Sequence, residues 1–135
     1  MDDLVRWLGE QLDVDKARAD AAAEELGPDW HYDDGFVLAR REGDMVATGS
    51  QDFLEAERGR FIAAHDPARV LREIDAKRQI VRWHYRRPAP KWDLDGVEGF
   101  ECATCDQQFP CKTLRLLALP YADRPGYAEA IASVE

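Results

Sequence analysis

No stretch of about 18 apolar residues occurs anywhere in the sequence, which excludes a membrane-spanning helix. The first residues, Met1 to Gly9, are acidic from the start and contain no apolar core, so a secretory signal is not expected. Internal repeats and low-complexity linkers are absent as well. So are a phosphate-binding glycine loop, a dinucleotide fingerprint, a GxSxG elbow, an HExxH pair and an HxE…PCxxC pattern, which leaves the common nucleotide-binding, hydrolase and deaminase readings without support. Histidine and cysteine are scarce, at three each. An odd cysteine number does not suit a secreted disulfide scaffold and points to a reduced, cytoplasmic setting.

What is present is a chain of 135 residues, 45% hydrophobic and 33% charged, long enough for one domain spanning 1–135 with a modest core. Its net charge of −9 disfavours DNA and anionic membranes, but the charge is uneven. Between acidic flanks, residues 66–92 hold Arg69, Arg72, Lys77, Arg78, Arg82, Arg86, Arg87 and Lys91 against only Asp66, Glu73 and Asp75. This band either contacts nucleic acid or an acidic partner, or pairs with the acids of its own chain.

Apolar residues at steps of three and four predict a helix from Asp2 to Leu26, stopped by Gly27-Pro28, with Trp7 and Trp30 as packing anchors. Residues 28–50 read as a β-hairpin region, two short strands within Gly35–Gly49 turning at Glu42 to Asp44. One face would carry Phe36, Leu38 and Arg40, the other Val37 and Ala39. A lone hairpin is marginal, so a third strand from Trp30, His31 and Tyr32 is a candidate, though Asp33-Asp34 interrupts it. Ser50 is read as the cap of a helix to Ala64. Asp66-Pro67 opens the clearest helix, since aspartate accepts orphan amides and proline at the first position loses none. Its apolar stripe runs through Val70, Ile74, Val81 and His84 before Arg86-Arg87-Pro88 ends it. Residues 91–110 look irregular, Thr113–Leu119 is a compact apolar helix, and Tyr127–Val134 a short one. The fold class is therefore α+β, mostly helical: a small helical domain with a β-hairpin and a zinc-stapled loop.

The chemistry concentrates in Cys102-Ala-Thr-Cys105 and Cys111. Three thiols within ten residues suit one metal ion, and zinc prefers four thiolate or imidazole donors in a tetrahedron. His84 is the favoured fourth donor, because it closes the strongest helix and seventeen intervening residues can fold Cys102 back to it. Asp106 and His65 compete for that role. The connector 84–111 would then be a structural zinc-binding segment, with Cys111 gaining from the amides that begin the next helix. A redox CxxC and inert core thiols are the alternatives. Four protein donors close the shell, whereas a catalytic zinc keeps a position open. Asp66 beside His65 is better read as a helix cap than as an acid–base pair.

The stretches Ala63–Arg78, Cys111–Tyr127 and Met1–Leu8 resemble a domain-of-unknown-function family of short actinobacterial and actinophage proteins. The resemblance covers nearly the whole chain. It maps an HDPARVL stretch onto His65–Leu71, a histidine late in the following helix onto His84, and a cysteine pair onto Cys102 and Cys105. Phe61 departs from the polar or histidine residue that similar chains carry there. The resemblance implies a phage, prophage or actinobacterial origin and a cytoplasmic location, the host cytoplasm for a phage protein, and brings no activity. The leading expectation is a zinc-stabilised binding or adaptor protein with a protein partner, using the arginines of 69–87 or the aromatics Trp83, Tyr85 and Trp92. A nucleic-acid-binding protein using the basic 69–91 segment, with Arg72, Arg82, Arg86 and Arg87 on phosphate, comes second. A metal-dependent enzyme is third.

Overall fold

The computed structural model describes residues 2–51 and 53–132. Five α-helices and five short strands follow one another along them: α1 (Asp3–Ala23), β1 (Trp30–Asp33), β2 (Phe36–Ala39), β3 (Met45–Ala47), α2 (Ala56–Ala64), α3 (Pro67–Trp83), β4 (Arg86–Pro88), β5 (Phe100–Cys102), α4 (Lys112–Ala118) and α5 (Tyr127–Ala132). Helix predominates and every strand pairing is antiparallel, so the mostly helical α+β expectation holds. The chain divides into two compact units: one from residues 1–12 and 76–135, the other from 13–75.

In the 13–75 unit, β1, β2 and β3 form a sheet in that order. The expected hairpin thus gains its third strand. Asp33 and Asp34 do not interrupt it; Asp33 pairs with Phe36, and Asp34-Gly35 is the two-residue turn between β1 and β2. Both turn residues have positive φ, 41° and 97°, the conformation that matches strand twist in a tight hairpin and that Asp-Gly favours. Val37 and Ala39 are the buried face of β2, while Phe36 and Leu38 are half-buried and Arg40 is exposed.

The helix expected to begin at Ser50 does not; α2 starts at Ala56. Phe53 and Leu54 are held by the hairpin instead. The Leu54 amide donates to the Gly35 carbonyl at 2.7 Å, and the Leu54 carbonyl accepts the Tyr32 hydroxyl at 2.8 Å. Those backbone groups are the ones a helix would have needed. Helix α2 then lies on β1 so closely that Gly59 faces the Tyr32 ring with no room for a Cβ.

Asp66 caps α3 as expected. One carboxylate oxygen accepts the Arg69 amide at 2.9 Å and the other accepts the Trp30 amide at 3.0 Å, tying the helix start to β1. Both Asp66 and Pro67 are buried.

In the other unit, Leu4, Trp7, Leu8 and Leu12 recur on the buried face of α1, with Asp2 accepting the Leu4 amide at 2.9 Å. The Trp7 indole donates to the Pro125 carbonyl at 2.9 Å and packs against Tyr127. Leu114, Ala118 and Tyr121 bury one side of α4 and of the 3₁₀ turn that follows it. The segment expected to be irregular is partly ordered: β5 pairs with β4 in the register Arg86–Cys102, Arg87–Glu101 and Pro88–Phe100. A 3₁₀ turn, Pro90–Trp92, and a tight turn at Asp95-Gly96 connect the two strands.

Candidate metal centre

The β4–β5 ribbon brings the four expected donors together. His84 stands one residue beyond α3, its amide still donating to Ile80 at 3.1 Å, so the helix ladder orients the imidazole. Two residues later Arg86 pairs with Cys102, which returns the chain to the end of α3. The Ala103 amide donates to the Tyr85 carbonyl at 2.9 Å, and the Thr104 hydroxyl donates to the Trp83 carbonyl. The Cys102 amide donates to Gln107 and the Asp106 amide to Cys102, closing Cys102–Gln107 into a knuckle whose Asp106 has φ 57°. The chain then passes through a cis Phe109–Pro110 bond to Cys111, which sits in extended conformation as the N-cap of α4.

His84 Nδ1 lies 3.3 Å from Cys102 Sγ, 3.5 Å from Cys111 Sγ and 3.9 Å from Cys105 Sγ. All four donor atoms fall within 4.8 Å of one another. A tetrahedral zinc with bonds of about 2.3 Å to sulfur and about 2.05 Å to nitrogen separates those atoms by about 3.6 Å for S–N pairs and about 3.8 Å for S–S pairs. The observed distances bracket the first value. Cys102 and Cys111 are fully buried; Cys105 and His84 are half-buried, and no pair of cysteines is joined as a disulfide.

The knuckle also supplies donors to sulfur. Burial pushes the Cys102 thiol up, yet the amides of Cys105 and Thr104 and the neighbouring thiols outweigh it and hold the pKa below the ordinary value. For Cys105, burial and the hydrogen bond with Cys102 raise the pKa to about 11, against a smaller lowering by the Gln107 amide. One thiolate is thus favoured while its neighbour resists ionising beside it. A divalent cation among the three sulfurs reverses that penalty. Three soft sulfurs and one imidazole suit zinc best among the abundant divalent ions.

Neither competing donor belongs to this group. Asp106 pairs with Arg87 at 2.6 Å, and His65, in the 13–75 unit, holds the Phe61 carbonyl at 2.8 Å and stacks on the Phe61 ring. Asp66 caps α3, so it does not form an acid–base pair with His65. The third histidine, His31, is on β1 of that same unit.

The basic band is largely engaged internally. Arg87 reaches Glu101 at 3.4 Å besides Asp106, and Lys91 reaches Glu101 at 3.3 Å. Desolvation raises the Glu101 pKa, but hydrogen bonds from Lys91 and Arg87 and their charges prevail and lower it. Arg86 lies over the Phe100 ring, Arg69 pairs with Glu73, and Lys77 donates to the Tyr121 hydroxyl. Of the aromatics, Trp83 and Tyr85 are exposed, whereas Trp92 is half-buried and its indole nitrogen is enclosed. The sequence reading missed Glu101, the acid that joins Arg87 to Lys91 across the ribbon. Its signal was placement next to Cys102, legible only once β5 is recognised as a strand.

Fold and site together define a small, mostly helical α+β domain with a Cys3His cluster able to chelate a metal ion. No helix among the described residues is long and apolar enough to cross a membrane. The chain belongs to DUF6221, a family of unknown function, whose match spans residues 1–131. The resemblance to a domain-of-unknown-function family thus holds along nearly its whole length. No curated protein and no solved structure matches the chain.

Proposed function

We propose that this protein is a small zinc-stabilised binding or adaptor domain acting in a reducing cytoplasm, with His84, Cys102, Cys105 and Cys111 as the ligands of one structural ion. The observation that carries the reading is the convergence of four donors to within 4.8 Å from the end of α3, from Cys102 and Cys105 of the knuckle and from the start of α4. Four protein donors fill a tetrahedron, so the ion would act as a crosslink with no position left for substrate. It would tie the long connector to two helices, and its binding energy would be folding energy. Once bound, zinc supplies charge neutralisation for the thiolates; the chain supplies the N–H donors that orient them.

The binding role rests on what surrounds the ribbon. Trp83, Tyr85, Leu94 and Val97 are each more than half exposed, an unusual share of large apolar surface for elements so short. A nucleic-acid reading is second, favoured by exposed Trp83, Tyr85 and Arg82 near one another in sequence. It is weakened because Arg87 and Lys91 already meet carboxylates. Salt-sensitive retention of single-stranded oligonucleotides at low ionic strength would be needed to sustain it. A metal-dependent enzyme would require an open coordination position.

Cobalt substitution with metal-edge spectroscopy tests the assignment. The expected result is one ion per chain in a tetrahedral shell of three sulfurs and one nitrogen. His84→Ala should weaken retention of the ion, whereas His65→Ala and Asp106→Asn should not. A shell lacking a sulfur, or holding water, would replace the structural reading with a catalytic one. Stoichiometry unchanged in His84→Ala would remove His84 from the ligand set.

A further inference from the structure

Helix α4 has two apolar faces where a small surface helix needs one. Leu114 and Ala118, with Tyr121 beyond them, form the buried face. On the outside, Lys112, Arg115, Leu116 and Leu119 recur at i, i+3, i+4 and i+7 and so share one stripe. Leu116 and Leu119 are each 55% exposed. Together with Gln107, Gln108 and Pro110 of the segment that leads into Cys111, this stripe lines an open groove of 560 Å³.

The two cations call for explanation. Neither the Lys112 ammonium nor the Arg115 guanidinium meets a carboxylate among the described residues, in a chain with 27 acidic side chains against 18 basic ones. Lys112 opens α4, where a cation opposes the helix dipole, so helix stability does not account for it; Arg115 stands in the last turn, where the dipole favours a cation. What they do provide is a positive rim at one end of an apolar floor.

We propose that this groove docks an acidic amphipathic segment of a partner protein, its apolar side chains on Leu116 and Leu119 and its carboxylates on Lys112 and Arg115. This rests on the reading of the protein as a binding domain and names the surface and the chemistry of the partner. Charge complementarity selects the occupant: an apolar floor alone would accept any hydrophobic segment, whereas the cationic rim rejects basic ones and favours acidic ones. The metal site adds a condition. Cys111 joins the groove's loop wall to its helix wall, so an ion held at Cys102, Cys105 and Cys111 would set the spacing of the two walls.

The test uses the full zinc-loaded chain, isotopically labelled for amide NMR, and synthetic peptides of about 14 residues built from Glu, Ala and Leu with leucines at i, i+3, i+4 and i+7. The expected result is saturable shift changes concentrated in residues 107–119. A Lys-for-Glu version of the peptide should bind at least about tenfold more weakly. Lys112→Glu with Arg115→Glu should reverse that preference, and Leu116→Ser with Leu119→Ser should weaken both peptides by about tenfold or more. All four side chains lie at the surface, so the folded spectrum should persist in these variants. The proposal is overturned by shifts lying elsewhere, by absence of binding at about 1 mM acidic peptide, or by a charge reversal that leaves the preference unchanged. A single-stranded oligonucleotide that binds residues 107–119 more tightly than the acidic peptide overturns it too. Zinc content read on the same samples tells failure of this surface from failure of the metal assignment.

Discussion

Cys111→Ser separates the two things Cys111 could be doing, because they predict opposite signs. Cys111 is the N-cap of α4, with φ −76° and ψ 168°, and its side chain makes no capping hydrogen bond. Serine adopts that backbone readily and is among the best N-caps, so in the absence of metal the substitution should be neutral or stabilise by up to about 1 kcal/mol. As a zinc ligand, Cys111 contributes differently. Losing one of four donors is expected to weaken zinc by about a hundredfold or more, which at saturating metal costs about 2.7 kcal/mol of linked stability. The net expectation is a loss of about 2 kcal/mol. With a melting entropy of about 2.1 cal/mol/K per residue over 135 residues, that corresponds to a fall in Tm of about 6 or 7 °C. The assay is thermal unfolding of wild type and variant in a zinc-buffered solution and again in excess chelator. The deficit should appear with zinc and vanish or change sign with chelator. A variant as stable as wild type in both solutions would refute the ligand role, since serine at the cap cannot hide a loss of that size.

Asp66→Ala should destabilise by about 2–3 kcal/mol in urea titration, since it removes the cap of α3 and leaves the Trp30 amide without its acceptor; metal content should not change. In Gly59→Ala the added Cβ would overlap the ring of Tyr32, whose hydroxyl is held by Leu54 and Gly35, so overpacking of about 1–3 kcal/mol should exceed the helix-propensity gain of about 1 kcal/mol. A midpoint above that of wild type would show that the ring moves aside freely. Glu101→Gln should lower stability near neutral pH. Because the folded pKa of Glu101 lies below 4.5, its contribution is present above that value and lost as pH falls through the depressed one, so the gap between variant and wild type should close as the solution is acidified below 4.5. A gap that stays constant would assign the effect to packing.

Local chemistry wrote much of this protein into its sequence. The apolar spacing of α1 and α3, the Asp66-Pro67 cap and the grouping of three thiols each depend on residues close together in the chain, where helix periodicity and capping act directly. Asp34-Gly35 carries an equally local signal for the turn that joins β1 to β2, but the pair Asp33-Asp34 reads as an interruption instead. Tertiary structure decided the rest. Ser50 begins no helix because Leu54 gives its amide to Gly35 and its carbonyl to Tyr32, partners outside any local window. Strands β4 and β5 are three residues long, and β4 is wholly exposed, so neither shows the alternation by which a strand announces itself. Their pairing is nonetheless what sets His84 beside Cys102. A thiol cluster can be read from spacing, since neighbours in sequence are neighbours in space. Its helix-end position already favoured His84 over Asp106 and His65, but its placement beside Cys102 needed the ribbon, because only a cross-strand register turns seventeen intervening residues into 3.3 Å.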